Sequence, residues 1–199
     1  MADFAIEAAL LRNDRRLICG LDEVGRGCLF GPVVAGAVIL DPHRPNPRYD
    51  DSKKLSPRQR QLLARDIYRT ALAYSIGWSW NDEIDRCNIL EATRRAMGQA
   101  FRRLQLRPDF VLIDAIDPGF LPVPGRAVIG GDGKSLSIAA ASIIAKVFRD
   151  RLLEEFAPFF PEFDLGRNKG YPTPGHQNVL SCRGETIFHR RSFRLKHGG

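Results

Sequence analysis

Four carboxylates in this chain follow short apolar runs: Asp22 and Glu23 after LICGL, Asp114 after FVLI, and Asp132 after VIGG. One acid at the end of one strand is commonly no more than a solvated strand end. Acids on separate strands are another matter, because sites gather at one edge of an α/β sheet, where its strands end. Carboxylates converging there repel one another, and a bound cation offsets the repulsion. Ligands that are all oxygen favour Mg²⁺ or Mn²⁺ over zinc. Two such ions can activate water and stabilise the leaving oxygen during in-line attack on a phosphodiester. Adjacent strand residues point to opposite faces. Asp22 and Glu23 therefore share a metal site only if the strand ends there and the chain turns, and Gly25, Arg26 and Gly27 make such a turn plausible.

The elements that must position these acids follow from periodicity. Residues 17–22 read as a first strand, and the almost wholly apolar residues 33–40 as a second, buried on both faces. Ser56, Pro57 and Gln59 give the capping signals of a helix running to about residue 70. Residues 73–80 read as a third strand, so that the first three form an antiparallel meander. Asn81 is expected to cap a short helix, and Asn88 a longer one to about residue 104. Residues 110–114 and 128–131 are the remaining strands, each followed by or ending in an acid. Residues 4–12 fit a short leading helix. The helix over 135–156 is the best marked: Ile138, Ala141, Ala145, Phe148 and Leu152 recur at spacings of three and four, and its Ala- and Ser-rich first half can lie close against a sheet. The expected architecture is α/β, one mixed sheet with helices packed on it, with no domain boundary in residues 1–199.

The formal net charge is +7, which favours an anionic partner, nucleic acid being the commonest. The Gly25–Gly27 turn leaves backbone groups free to approach a sugar, and contact with a 2′-OH is how a protein tells RNA from DNA. Arg167, Asn168, Lys169, Gly170 and Tyr171 form a basic-aromatic cluster in which Tyr171 either stacks on a base or sugar or covers the edge of the core. Lys53 and Lys54 either hold phosphates or keep a proline-rich loop soluble. Lys134 precedes a helix, where anions are favoured. A basic run of Arg183, Arg190, Arg191, Arg194 and Lys196 ends the chain. Cys19, Cys28, Cys87 and Cys182 form no C-x-x-C pair and fit a reducing compartment. The N-terminus is the reverse of a secretory signal and no apolar run reaches bilayer length, so the expectation is a soluble cytoplasmic protein with no membrane contact. Gly25, Gly27 and Gly31 miss the dinucleotide-binding spacing by one residue, and the triplet at 133–135 lacks the P-loop glycine, because Val128 stands in its place. The four histidines show no triad or ligand spacing.

These residues carry a resemblance. GLDEVGRG at 20–27, GPVVAGAVIL at 31–40, DSKKLS at 51–56, NIL at 88–90, VLIDA at 111–115, SIAAASIIAKVFRD at 137–150, NKGYPT at 168–173 and HRRSF at 189–193 closely resemble bacterial ribonuclease HII, in the family's order. The resemblance implies an RNase H-like fold with a five-stranded mixed sheet and, from about residue 160 to 199, extra C-terminal helices that touch substrate. It implies an endonuclease that cleaves the RNA strand of RNA–DNA hybrids and cuts 5′ of single ribonucleotides in duplex DNA, as ribonucleotide excision repair requires. The products carry a 5′-phosphate and a 3′-OH. By motif match Asp22, Glu23, Asp114 and Asp132 are the catalytic carboxylates and hold Mg²⁺ or Mn²⁺. Gly25, Arg26 and Gly27 read the 2′-OH, Tyr171 stacks on the following sugar, and Lys53, Lys54, Lys146 and Lys169 contact substrate. A monomer is expected.

The chain departs from the family in three places. Gly130 stands where a lysine is usual, Ala115-Ile116 where Gly-Asn is common, and Cys28 where proline or alanine is common. The related ribonuclease HIII carries a longer N-terminal region, for which the residues before the first strand leave no room. Two rivals remain: a non-catalytic nucleic-acid-binding module of the same fold, which gains nothing from clustered negative charge, and a junction resolvase, which needs no 2′-OH.

Overall fold

Five strands form one mixed sheet in the order β3-β2-β1-β4-β5. They are β1 (Ile18–Val24), β2 (Val33–Ile39), β3 (Ala73–Ser79), β4 (Phe110–Asp114) and β5 (Gly125–Val128). The structure is a computed structural model and describes residues 2–193. The meander is as expected, since β1 pairs antiparallel with β2 and β2 with β3, while β4 runs parallel to both β1 and β5. Every residue of β2 is buried.

The strand alternation divides the core in two. Cys19, Leu21, Val33, Ala35, Ala37, Val111 and Ile113 face Ala92, Ala96, Met97 and Ala100 of α4 (Ile89–Arg103). Ile18, Leu112 and Val38 face the other way, toward α5 (Leu136–Phe156). Outside α5 lies α2 (Pro57–Thr70), whose Leu63, Ala64 and Ile67 close that layer. Its capping box forms as expected: Ser56 N–H donates to Gln59 Oε1 and Gln59 N–H to Ser56 Oγ. Asn88 caps α4 through its side chain. The short α1 (Ala5–Arg12) is pinned by Glu7, which accepts from Ser135 Oγ and the Ser137 N–H at the start of α5.

Helix α5 is the hub. Its residues 136–145 are all buried, so its first half has no solvent face. It reaches the sheet through two glycines. A Cβ on Gly20 would lie 2.1 Å from the Ser137 carbonyl carbon, and one on Gly36 2.3 Å from Ala141 O. No side chain fits in either gap, so helix backbone rests on strand backbone.

Three expectations are corrected. First, β1 does not end at the acids but runs to Val24, still paired with β2. Second, β5 covers Gly125–Val128 rather than residues 128–131. The chain leaves the sheet after Val128 through Gly130 (φ 64°), and Asp132 lies in a 3-10 turn instead of at a strand end. Third, Asn81 is the first residue of α3 (Asn81–Cys87), not its cap. Its amide donates to Ile187 O and His189 O, holding the C-terminal segment. That segment contains α6 (Leu165–Asn168) and α7 (Pro174–Arg183), and packs Phe163, Leu165 and Leu180 on Leu153 of α5 and on Phe30. Of the basic run, Arg190 is buried, and Arg194 and Lys196 lie outside the described residues.

Gly36→Ala is expected to lift α5 from β2 and lower stability by about 3 kcal/mol, measured by urea unfolding. A loss below about 0.5 kcal/mol would contradict the backbone-on-backbone contact.

Candidate active site

The parallel pairing of β1 with β4 stops at Leu21–Ile113. One residue further, the register sets Asp22 beside Asp114, both on the sheet face that α5 covers. Beyond that point β1 has β2 on one side only, and Glu23 reaches the same edge from the opposite face. The expectation that the strand must end for the two acids to meet is thus met differently: β4 stops while β1 continues. Asp132 joins from the turn before α5. Its neighbour Gly131 donates N–H to Asp114 Oδ1 at 2.8 Å, which ties the third and fourth acids together.

The charges in this cluster work against one another. Burial pushes the Asp22 carboxyl well above the usual carboxylate range, the charge of Glu23 and then that of Asp114 push it further, and the Ser142 hydroxyl resists. Glu23 is raised by burial and by Asp114, with Arg26 opposing. Asp132 is raised by burial, then by Asp51 and Asp114, with Lys53 opposing. Each acid has its own partner. Asp22 Oδ1 accepts from the Glu23 N–H at 2.8 Å. Arg26 Nη1 folds back to Glu23 Oε1 at 3.3 Å, and Lys53 Nζ lies 3.6 Å from Asp132 Oδ2. Ser52 Oγ sits 2.9 Å from Ser142 Oγ. The two hydroxyls tie the loop at 51–54 to α5, and the Ser142 hydroxyl favours the charged form of Asp22.

Among the described residues, no three acid, histidine or cysteine side chains close around a common point. The donor set nevertheless fits a hard divalent cation: all four acids offer oxygen alone, and Glu23 Oε2 is buried with no hydrogen-bond partner. A divalent cation displacing Arg26 and Lys53 would relieve the repulsion that raises Asp22, Glu23 and Asp132.

Around the acids, the 25–27 turn is half buried. Gly25 (φ 90°) lies against Arg149, whereas Arg26 and Gly27 are exposed. Gly130 is left-handed and open, so glycine suits it, and the cation beside Asp132 is Lys53 instead. Ala115 has φ 53°, a strained conformation where a glycine would be at ease. Tyr171 is 38% exposed, with Lys146 Nζ 5.7 Å from its ring centre. The sequence-derived lysines divide. Lys53 joins the acids; Lys54 pairs with Asp50; Lys146 pairs with Asp150; and Lys169 is held by Glu154 and Gly166 O. Lys134 donates to Ile129 O.

From Tyr171 a cleft of about 880 Å³ runs between α2 and α5, lined by Arg60, Arg65, Lys146, Arg151, Arg167 and Lys169 against Asp150 and Glu154. Ser142, Lys146, Asp150 and Glu154 recur every fourth residue, so this face of α5 leads from the acids along the cleft for about 18 Å. Sequence reasoning missed Arg60 and Arg65. Arg65 sits on a solvent-facing helix stripe that resembles any charged surface until the cleft is seen, whereas the Arg60 guanidinium is largely covered, donating to Ser52 O and Leu55 O and pairing with Asp150.

The family model for ribonuclease HII matches residues 19–196. The chain is 45% identical over 196 residues to a ribonuclease HII of Paracoccus denitrificans, covering 98% of this chain and 93% of that one. Among solved structures, ribonuclease HII of Archaeoglobus fulgidus, determined in complex with PCNA, superposes with a TM-score of 0.78 at 26% identity over 92% of this chain and 98% of that one. Ribonuclease H2 of Pyrococcus horikoshii superposes with a TM-score of 0.75 at 27% identity over 89% and 94%. The chain belongs to the ribonuclease HII family: it is a metal-dependent endonuclease acting on the RNA of RNA–DNA hybrids. Among the described residues no helix is long and apolar enough to cross a membrane.

The folded protein holds the Asp22 proton more tightly than the unfolded chain does. Its ionisation therefore costs nothing below about pH 4 and costs most above the raised folded value, so stability falls as pH rises through that window. Asp22→Asn removes this cost. At pH 8 in EDTA the variant is expected to melt a few degrees above wild type, with the gap closing toward pH 4. Mg²⁺ or Mn²⁺ should raise the wild-type melting temperature and leave the variant's unchanged. An Asp22→Asn variant less stable than wild type in EDTA would show that the carboxylate is a structural anchor.

Proposed function

We propose that this protein incises duplex DNA on the 5′ side of a single embedded ribonucleotide, in addition to cutting RNA in hybrids. We infer further that Asp22, Glu23, Asp114 and Asp132 hold two divalent cations, Mg²⁺ or Mn²⁺. The observation that carries this reading is the placement of an exposed backbone turn at Arg26 and Gly27 three residues from Glu23, with a half-exposed tyrosine on the neighbouring loop. A backbone turn reads a sugar hydroxyl rather than a base, so one ribose is enough for recognition. Long RNA tracts are not needed.

Bound cations supply a lowered water pKa and a counter-charge for the leaving oxygen. The chain does the rest. Asp22 and Asp114 are fixed by the β1–β4 register, Asp22 is oriented by the Glu23 N–H, and Asp114 by the Gly131 N–H. This leaves their second oxygens for a cation. The Arg26 and Gly27 backbone positions the ribose, and Tyr171 stacks on the sugar that follows. The cleft beyond Tyr171 takes the phosphates of the continuing duplex on Arg65 and Arg151, and the C-terminal segment from about residue 160 forms its far wall. The product ends are a 5′-phosphate and a 3′-OH.

The test is a labelled DNA duplex with one ribonucleotide, run beside the all-DNA duplex of the same sequence, with Mg²⁺, Mn²⁺ or EDTA. A metal-dependent cut immediately 5′ of the ribonucleotide is expected, with the all-DNA control intact and Asp114→Asn slower by roughly a hundredfold or more. Cleavage of a hybrid without any cut at the single ribonucleotide would overturn the proposal.

A further inference from the structure

Two arginines, Arg149 and Arg190, are 0% and 2% exposed, and among the described residues they are the largest fully buried side chains. Arginine is almost never fully buried unless paired with an acid. Here the partners are backbone carbonyls. Arg149 donates to Pro32 O at 3.0 Å, Lys169 O at 2.8 Å and Phe30 O at 3.0 Å. Arg190 donates to Gly31 O at 3.0 Å and Arg26 O at 2.9 Å, and its second Nη is buried with no partner. Burial, with Arg149 also opposing its charge, pushes Arg190 down to about 10, so it remains a cation at neutral pH.

The five carbonyls belong to two loops. Four are in residues 26–32, just after the turn beside the acids, and one is at Lys169, two residues before Tyr171. The loops are also joined directly, by the Leu29 N–H to Gly170 O at 2.8 Å. On the far side the Arg190 N–H donates to Leu29 O and the Gly31 N–H to Phe188 O. The 26–32 segment thus runs between the tyrosine loop and the C-terminal segment, with the two guanidiniums beneath it. There is no room to rebuild this contact: a Cβ on Gly25 would lie 2.2 Å from Arg149 Nε.

One of these bonds has a chemical consequence. The C=O of Arg26 and the N–H of Gly27 lie in one peptide plane and point in opposite directions. Arg190 draws the Arg26 carbonyl inward, so the Gly27 N–H is turned outward. Gly27 is exposed, and among the described residues its N–H meets no acceptor. It is an unused backbone donor beside the acids, facing solvent.

We propose that Arg190 is a positioning residue that holds the Arg26–Gly27 peptide with its N–H outward as the donor to the ribose 2′-oxygen, and that Arg149 locks this turn to the Tyr171 loop. The inference rests on the ribonucleotide-reading role of the turn given above. Desolvating two cations is costly, and lysine, a single point charge, cannot span two carbonyls as the guanidinium fork does.

The experiment measures binding in EDTA, where cleavage does not intervene. Fluorescence anisotropy compares a duplex bearing one ribonucleotide with the all-DNA duplex, for wild type and two variants. The first variant is Arg190→Lys. The second replaces residue 27 by glycolic acid through nonsense suppression, which exchanges the one N–H for an ester oxygen and leaves Arg190 in place; it decides the matter if Arg190→Lys does not fold. Wild type is expected to prefer the ribonucleotide duplex. Both variants should lose about five- to tenfold of that preference, the worth of one hydrogen bond, with all-DNA affinity unchanged. A purely structural role for Arg190 would weaken both duplexes together. Wild-type preference retained in the folded variants overturns the inference and leaves the proposed function standing. A wild type with no preference and no cut at the ribonucleotide overturns that reading, and the inference with it.

Discussion

The contact on which this structure depends is that of helix α5 against β1 and β2 at Gly20 and Gly36. Backbone lies on backbone there, with no space for a methyl group. Because the helix is held at that depth, its successive turns meet successive parts of the site. Ser142 bonds Ser52 of the loop that carries Lys53, Lys146 lies over Tyr171, Arg149 supports the turn after β1, and Asp150 and Glu154 continue along the cleft. Raising the helix by the thickness of one side chain would detach every one of these contacts. The buried first half of α5 is thus both core and mounting. A helix that also carries functional groups needs small residues on its inner face, and the run of alanines at 139–141 supplies them.

Against this rigid mounting stands a cluster of charges that destabilises itself. Asp22, Glu23 and Asp132 all sit above their ordinary pKa range, through burial first and then through mutual repulsion. Burial and repulsion make ionised carboxylates costly at these positions. A folded protein that retains such a cluster has a use for it that folding does not explain. Arg26 and Lys53 neutralise part of the charge and are themselves solvent-accessible, so a divalent cation can displace them without unpacking the core.

Much of this was legible in the sequence because the signals were local. The capping box at Ser56 and Gln59, the apolar run of β2, and the long helix ending at Phe156 all depend on neighbours within a few residues. So did the acids, each of which follows an apolar run. What was not legible required tertiary context. The extension of β1 through Glu23 depends on β2, not on the sequence of β1 itself. The fifth strand is GRAV rather than VIGG, because the parallel pairing with β4 and the left-handed Gly130 decide where the chain leaves the sheet. Asn81 resembles a cap, but it serves a carbonyl more than a hundred residues away. Arg190 sits in a run of basic residues whose role the sequence leaves open, and only the fold shows it buried. The motif at 189–193 marks the region without disclosing what its first arginine does.

The central claim is that the four carboxylates form one cation-binding site at the edge where β4 stops and β1 runs on. It is tested most directly by crystals of the protein grown with Mn²⁺, using the anomalous signal of the metal to locate it. Manganese peaks are expected within coordination distance of Asp22, Glu23, Asp114 and Asp132, with the Arg26 and Lys53 side chains displaced from Glu23 and Asp132. Manganese bound elsewhere, or none bound while the Arg26–Glu23 and Lys53–Asp132 pairs stay intact, would contradict it.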